Sequence, residues 1–180
     1  MSEALRLGIS RHQLYRMRDE GILETVSRGL YRLADLPPAS NPDLAVVAAK
    51  FPNAVLCLIS ALSWHNITTQ IPHEIHLAVA RQARIPRLDY PPVRGYRFSE
   101  PAFSAGIEEA NLDGTPLRVY SVEKTLADCF RFRHRIGTDI IVEALQSYRH
   151  RKDFNPAKLM EYARICRVDK IIQPYLEALL

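Results

Sequence analysis

The residues best suited to chemistry in this chain are cationic and polar side chains that directly follow Ser10. They share one short segment, interrupted by the apolar Leu14, and they are Arg11, His12, Gln13, Tyr15 and Arg16. Arginine pairs bidentately with guanine O6 and N7, and glutamine pairs with adenine N6 and N7. The first residues of a recognition helix are those that reach base edges in the major groove. The pattern therefore predicts that this segment contacts DNA.

A second candidate contact lies in residues 22–33, which have the pattern of a short hairpin with Gly29 at its tip. Arg28 at the tip is placed to enter a minor groove or to contact the DNA backbone, and Arg32 follows close behind. The hairpin is therefore predicted to act as a wing. The alternative for both segments is a solvated polar surface on a small structural module.

Two further groups of cations lie near the predicted ends of helices in the last third of the chain. They are Arg131, Arg133 and Arg135, and then Arg149, Arg151 and Lys152. Cations at these positions interact favourably with the C-terminal end of a helix dipole. The alternative is a second basic surface for DNA, RNA or an acidic protein.

Other groups of reactive residues lack the spacing that their chemistry requires. His73 and His76 point to opposite faces if they lie on a strand, and no third metal ligand with convincing spacing is nearby. Ser60 and His65 are five residues apart on a predicted helix, and no Gly-x-Ser-x-Gly elbow surrounds Ser60. No glycine-rich phosphate loop of either common type is present. The sequence thus predicts no catalytic residue, no metal site and no cofactor.

The carboxylates leave a metal-dependent nuclease as the competing enzyme class. Such enzymes need carboxylates that converge on an ion, often beside a lysine. The carboxylates in this basic context are Glu74, Glu108, Glu109, Glu123 and Asp128. Glu123 and Asp128 are five residues apart on one predicted helix and do not converge. A helix cap at Ser121 and an i,i+4 pair between Lys124 and Asp128 explain these residues better.

Two helical segments separated by a sharp break must position the cationic residues. Residues 4–7 close a first apolar turn, Gly8-Ile9-Ser10 forms the break, and a second helix runs from Arg11 to Gly21. Ser10 is the predicted N-cap, so that the positive end of the helix dipole points at a phosphate or base edge. The side chains expected to form the core of this unit are Leu5, Leu7, Ile9, Leu14 and Met17. The order of elements is typical of a winged helix-turn-helix.

A proline-rich stretch at residues 36–42 predicts a boundary between an N-terminal domain, residues 1–36, and a second domain, residues 43–180. Residues 54–59 are apolar and fit either a buried strand or the start of a helix, with Ser60 as a plausible N-cap. Asp113-Gly114 between two strand-like runs predicts a hairpin, and the pattern implies mostly antiparallel pairing. The predicted fold class is α+β, with a mixed, mainly antiparallel sheet and a C-terminal helical cluster after the winged helix-turn-helix.

Composition restricts the class and the compartment of the protein. Hydrophobic residues make up 47% and charged residues 24%, as in a folded globular protein, and the formal charge of +4 supports nucleic-acid binding only weakly. The three cysteines form no CxxC pair and are predicted to be buried, reduced thiols. Neither a signal peptide nor a membrane-spanning run is recognisable, which predicts a cytoplasmic protein with no membrane partner.

The order of several short blocks resembles the AbiEi family of bacterial antitoxins and related transcriptional regulators. The blocks are Gly8-Ile9-Ser10 with Leu14, residues 21–24, 28–31, 56–62, 75–79 and 118–129, Gly137, and residues 143–145. The resemblance implies a winged-helix domain that represses its own operon and a C-terminal domain that counters a nucleotidyltransferase-type toxin without a stable complex. Family members usually begin with an additional helix, so the first helix of the winged helix-turn-helix is expected to be missing here.

These observations predict a DNA-binding transcriptional repressor and antitoxin with no catalysis of its own. The expected partners are double-stranded operator DNA and the cognate nucleotidyltransferase-type toxin. A homodimer would suit a palindromic operator, although no zipper or interface stripe indicates one. The alternatives are a stand-alone regulator without a toxin, a metal-dependent nuclease and a module that binds only protein.

Overall fold

The N-terminal elements follow the order that the sequence predicts. In the computed structural model, which describes residues 2–179 and the side chains of residues 4–179, two helices precede a hairpin. Helix α1 is Ser2–Arg6 and helix α2 is Arg11–Asp19; strands β1, Leu23–Ser27, and β2, Leu30–Leu33, pair antiparallel. The break and the second helix therefore lie where the residue pattern places them.

The core of this N-terminal unit is smaller than the sequence suggests. Leu14 is buried, and Ile9 and Met17 are half-buried. Leu5 is 39% exposed and Leu7 is 76% exposed, so the prediction that these two leucines belong to the core is wrong. The reason is local, because α1 ends at Arg6 and Leu7 lies in the turn that follows it.

A five-stranded sheet with helices on both faces makes up the rest of the chain. Its elements are α3 Pro42–Lys50, β3 Val55–Leu56, α4 Leu58–Trp64, β4 Ile75–Ala80, β5 Val93–Phe98, α5 Glu100–Ser104, β6 Ile107–Leu112, β7 Thr115–Tyr120, α6 Val122–Arg131, α7 Arg133–Ile136, α8 Thr138–Arg149, α9 Pro156–Cys166 and α10 Asp169–Leu179. The described chain is thus α+β, as predicted.

The strand order in this sheet is β5-β4-β3-β7-β6. Strand β3 is antiparallel to β4 and β6 is antiparallel to β7, whereas β4 with β5 and β3 with β7 are parallel pairs. The sheet is therefore mixed, as predicted, but its antiparallel and parallel pairs are equal in number, so it is not mainly antiparallel. A tight turn at Asp113-Gly114 does reverse the chain between β6 and β7. The long connection over residues 81–92 instead lets β5 cross back and run parallel to β4.

Two apolar clusters, one of which includes α3, occupy the core around the sheet. Helix α6 lies in the larger cluster, and every residue from Val122 to Phe130 is buried. The apolar run at residues 54–59 divides between β3 and the start of α4. Ser60 consequently lies within α4 and does not cap it, contrary to the prediction; its hydroxyl accepts the backbone N–H of His76 at 2.9 Å.

The thiols of Cys57, Cys129 and Cys166 are free and buried. This confirms the prediction of buried thiols without a disulfide. Burial raises the pKa of each of these thiols, and that of Cys166 rises to about 12. In the part of the chain that the structure describes, no helix has the length and apolar character needed to cross a bilayer.

Candidate nucleic-acid interface

Helix α2 begins with a complete capping box. The Ser10 hydroxyl oxygen accepts the backbone N–H of Gln13 at 3.2 Å, and Gln13 Oε1 accepts the backbone N–H of Ser10 at 2.8 Å. This arrangement satisfies two backbone donors at the helix start and fixes the first turn. The predicted N-cap is therefore confirmed. The same geometry commits Gln13 Oε1 to the backbone, so a bidentate contact with adenine would require the capping box to open.

The exposed face of α2 carries the predicted cations. Arg11, His12, Tyr15 and Arg16 are exposed, while Leu14 on the opposite face is only 4% exposed. The first turn has no carboxylate, so the positive end of the helix dipole is not neutralised there. The side chains of the first turn and the helix dipole thus both present positive charge to the solvent.

Arginine side chains nearer the end of α2 are paired locally. The Nε of Arg16 lies 3.5 Å from Glu20 Oε1, and both side chains are more than half exposed. Such exposed pairs contribute little free energy, so the Arg16 guanidinium can exchange Glu20 for a phosphate at small cost. Arg18, which the sequence interpretation left out, hydrogen-bonds Asp19 at 2.7 Å and lies 5.1 Å from the centre of the Tyr15 ring. This stacking orients Tyr15 on the exposed face.

In the β1–β2 hairpin the two predicted arginines have different surroundings. Arg28 lies at the exposed tip beside Gly29, whose φ of +75° suits glycine in a tight turn. Arg32 is opposite Glu24 across the strands, forms an ion pair with it, and donates to the carbonyl oxygen of Leu36 at 2.7 Å. Arg32 therefore holds the hairpin to the following linker, and its contact with DNA stays a prediction.

The hairpin tip does not project freely into solvent. Lys50, the last residue of α3, donates from Nζ to the Ser27 hydroxyl at 2.9 Å. In the linker, the backbone N–H and the hydroxyl of Ser40 both donate to Asp113 Oδ2 at 2.7 Å, beside the β6–β7 turn. The hairpin is thus attached to the larger part of the protein from both ends.

The sequence interpretation missed one strongly basic segment of the chain. Residues 81–97, which run from the end of β4 through β5, contain five arginines and the single carboxylate Asp89, an excess of four positive charges. The formal charge of the whole chain is also +4. All five arginines are exposed; they are Arg81, Arg84, Arg87, Arg94 and Arg97. Their density along the sequence was a signal that could have identified this segment, in which Arg94 pairs with Glu74 at 2.9 Å.

The two groups of cations predicted in the last third of the chain, residues 131–135 and 149–152, do not form one surface. They lie at opposite ends of α8, a helix of twelve residues; at ~1.5 Å per residue this separates them by about 18 Å. Arg133 donates to the carbonyl oxygen of Phe130 at 3.2 Å and Arg151 binds Asp153 and the carbonyl oxygen of His65. Of the two groups Arg133 is half-buried, and the exposed members are Arg131, Arg135, Arg149, Arg151 and Lys152. For Arg133 the structure supports the helix-end interpretation.

Three of the five carboxylates considered for a nuclease have partners within the fold; the first of them, Glu74, pairs with Arg94 at 2.9 Å. Asp128 pairs with Lys124 and Glu123 with Lys158 at 3.3 Å, and Glu123 also accepts the Tyr148 hydroxyl at 2.8 Å. Burial raises the pKa of Asp128, and the neighbouring Lys124 only partly offsets this effect. Among residues 2–179 no group of three or more His, Cys, Asp or Glu side chains is arranged to hold a metal ion. The predicted cap at Ser121 and the predicted i,i+4 pair are confirmed.

A capped basic helix after a turn, followed by a hairpin, is typical of small nucleic-acid recognition units. Residues 1–34, which extend from the first residue through β2, match the family described as "Transcriptional regulator, AbiEi antitoxin". The matched segment is less than a fifth of the 180-residue chain. No curated protein matches the chain. The similarity therefore concerns the unit that carries α2 and the hairpin.

Proposed function

We propose that this protein is a transcriptional repressor of the AbiEi antitoxin type, which binds double-stranded operator DNA through a winged helix-turn-helix. Helix α2 enters the major groove with its first turn, and Arg28 contacts the adjacent backbone or minor groove. The observation that carries this proposal is the capped, carboxylate-free first turn of α2 with its exposed cations. The family similarity over residues 1–34 supports it independently.

The proposed division of labour has an N-terminal domain of residues 1–36 and a second domain of residues 43–180. The first represses transcription of the protein's own operon. The second counters a nucleotidyltransferase-type toxin encoded beside it, acting in the cytoplasm and without catalysis of its own. The resemblance to AbiEi antitoxins, and not the geometry of the sheet, supports this second role. A homodimer would read a palindromic operator as two half-sites.

DNA binding is tested directly with a duplex that covers the region upstream of the gene, compared with a scrambled duplex of equal length. Fluorescence anisotropy at several salt concentrations should show tighter binding to the upstream duplex and a steep salt dependence. Arg11→Ala and Arg16→Ala should each weaken specific binding by about 1–3 kcal/mol. Arg164→Ala, at an exposed arginine on α9, is the matched control. Equal affinity of the Arg11 and Arg16 variants and the native protein would remove α2 from the interface.

The antitoxin role requires a separate experiment. Co-expression with the neighbouring open reading frame should restore growth of cells that the open reading frame alone arrests. An Arg11→Ala/Arg16→Ala double variant should still restore growth, because the proposed toxin-countering region lies elsewhere. Loss of rescue in this variant, with unchanged protein levels, would contradict the proposed division of labour.

A further inference from the structure

A cleft of about 510 Å³ lies between the tip of the β1–β2 hairpin, the end of α3 and the connection between β4 and β5. Its wall includes Arg28 from the hairpin, Lys50 from α3 and Arg87 from the connection. Three cations from distant parts of the sequence thus meet at one place. The volume falls within the range typical of small-molecule sites in proteins, about 300–1,000 Å³.

The charge in this cleft is not balanced within the fold. Among the residues described on its wall, the one carboxylate is Asp89, against three cations. The Lys50 ammonium has three donors and gives one of them to the Ser27 hydroxyl. The nearby Tyr90 hydroxyl donates to Asp43 and so engages that carboxylate at 3.0 Å. Three cations against one carboxylate leave this wall with an excess of positive charge, which favours the binding of an anion.

The backbone near Arg87 is fixed by packing against β5. Pro86 is buried, and Ile85 packs so closely on Gly95 that a Cβ at that position would lie 2.5 Å from Ile85 Cγ2. The glycine therefore permits the close approach of the connection to the strand. Arg87 follows directly after these two anchored residues, so its position beside the hairpin tip is defined by the fold.

We propose that this cleft, which we name the joint cleft, binds a phosphate group between Arg28, Lys50 and Arg87. Guanidinium groups match phosphate oxygens bidentately, and an ammonium adds a compact charge. The phosphate is supplied either by the DNA backbone next to the hairpin or by a phosphate-bearing small molecule. The first source rests on the proposed function, whereas the second does not.

Two measurements on the full chain distinguish the sources. Isothermal titration with inorganic pyrophosphate tests a free anion in the absence of DNA, and anisotropy over a salt series tests the duplex. The variants are Arg87→Ala and Lys50→Gln, the latter retaining a donor for Ser27. The matched control is Arg84→Ala, which removes an exposed arginine from the same connection but from outside the cleft wall. Thermal melting checks that each variant is folded.

A backbone phosphate predicts that Arg87→Ala and Lys50→Gln each reduce the slope of log K against log salt by about one, which is about an eightfold loss at 0.1 M salt. A free ligand predicts that pyrophosphate binds the native protein and that both variants weaken this binding at least tenfold. In either case Arg84→Ala has the smaller effect.

Two results together overturn the proposal. Pyrophosphate does not bind the native protein, and the DNA affinity of the Arg87 variant equals that of the native protein or that of the Arg84 control. In that case a loss of DNA affinity in the Arg11 and Arg16 variants would leave the proposed function intact. If the native protein binds no DNA at all, the pyrophosphate titration alone decides whether the joint cleft is an anion site.

Discussion

Replacing one member of the buried ion pair in α6 should destabilise the protein far more than replacing both members. Lys124 Nζ lies 2.5 Å from Asp128 Oδ2, and both side chains are fully buried. The ammonium also lies 4.0 Å from the Tyr120 ring centre and 5.0 Å from that of Phe98, and the Cys166 thiol donates to Asp128 Oδ1 at 3.2 Å. Water cannot solvate either charge, so each depends on the other.

The size of the effect follows from the cost of an unpaired buried charge. Lys124→Met leaves the carboxylate without its cation and Asp128→Leu leaves the ammonium without its anion; each should cost about 3–5 kcal/mol of the free energy of unfolding. The double variant Lys124→Met/Asp128→Leu removes both charges and retains apolar volume, so it should be close to the native protein. The double-mutant cycle should therefore give a coupling energy of at least about 3 kcal/mol.

The single variants should also differ in their pH dependence. Burial raises the pKa of Asp128, and removal of Lys124 takes away the charge that opposes this effect. The folded Lys124→Met variant then binds a proton more tightly than its unfolded chain does. The contribution of this proton to the stability is complete below the unfolded pKa of Asp, about 3.9, and is lost by up to about 1.4 kcal/mol per pH unit as pH rises towards the folded pKa. Asp128→Leu lacks the titrating group and should lack this trend.

Urea unfolding of the four proteins at pH 7 and pH 5 measures both effects. From pH 7 to pH 5, Lys124→Met should become more stable relative to the native protein. The slope of its unfolding free energy against urea concentration should stay the same. The reasoning is refuted if each single variant costs less than about 1 kcal/mol, or if the double variant loses the sum of the two single losses. Either result would mean that the pair is solvated in the folded protein.

Three further predictions concern the N-terminal unit and the thiols. Ser10→Ala removes the acceptor of the Gln13 N–H and should cost about 1 kcal/mol of local stability, measured as faster amide exchange in α2; Ser10→Asp, which keeps a cap, should exchange at the native rate. Leu14→Ala removes the buried side chain of α2, and such truncations cost about 2–5 kcal/mol of the free energy of unfolding. The variant should lose DNA binding but keep the near-ultraviolet dichroism of Trp64. Retained DNA affinity would contradict this prediction. Because burial raises the thiol pKa values, Ellman's reagent should label no cysteine in the folded protein at pH 8 and three after denaturation; rapid labelling of the folded protein would count against buried thiols.

Features set by neighbouring residues were predictable from the sequence. The Ser10 cap, the turn at Asp113-Gly114 and the pairing of Lys124 with Asp128 each depend on residues within four positions of one another. Hydrogen-bond geometry over such short distances is nearly independent of the remaining fold. The α+β class followed from the same local patterns.

Features set by the path of long connections were not predictable in this way. The sequence pattern implied antiparallel strands, but the connection over residues 81–92 returns the chain to the same end of the sheet, so β5 runs parallel to β4. Leu7 was expected in the core, but α1 ends at Arg6, before it reaches Leu7, and this side chain is exposed. Arg32 has the residue type of a DNA contact, yet its guanidinium is taken up by Glu24 and the linker.

The basic, capped start of α2 followed from the residue pattern alone, because side-chain charge and helix capping are set within one turn of the chain. Tertiary packing, in contrast, brought Arg28, Lys50 and Arg87 to one cleft and buried the pair in α6 completely. Both outcomes depend on which distant segments pack together. That packing is fixed by burial of apolar surface across the whole fold, which no short window of sequence contains.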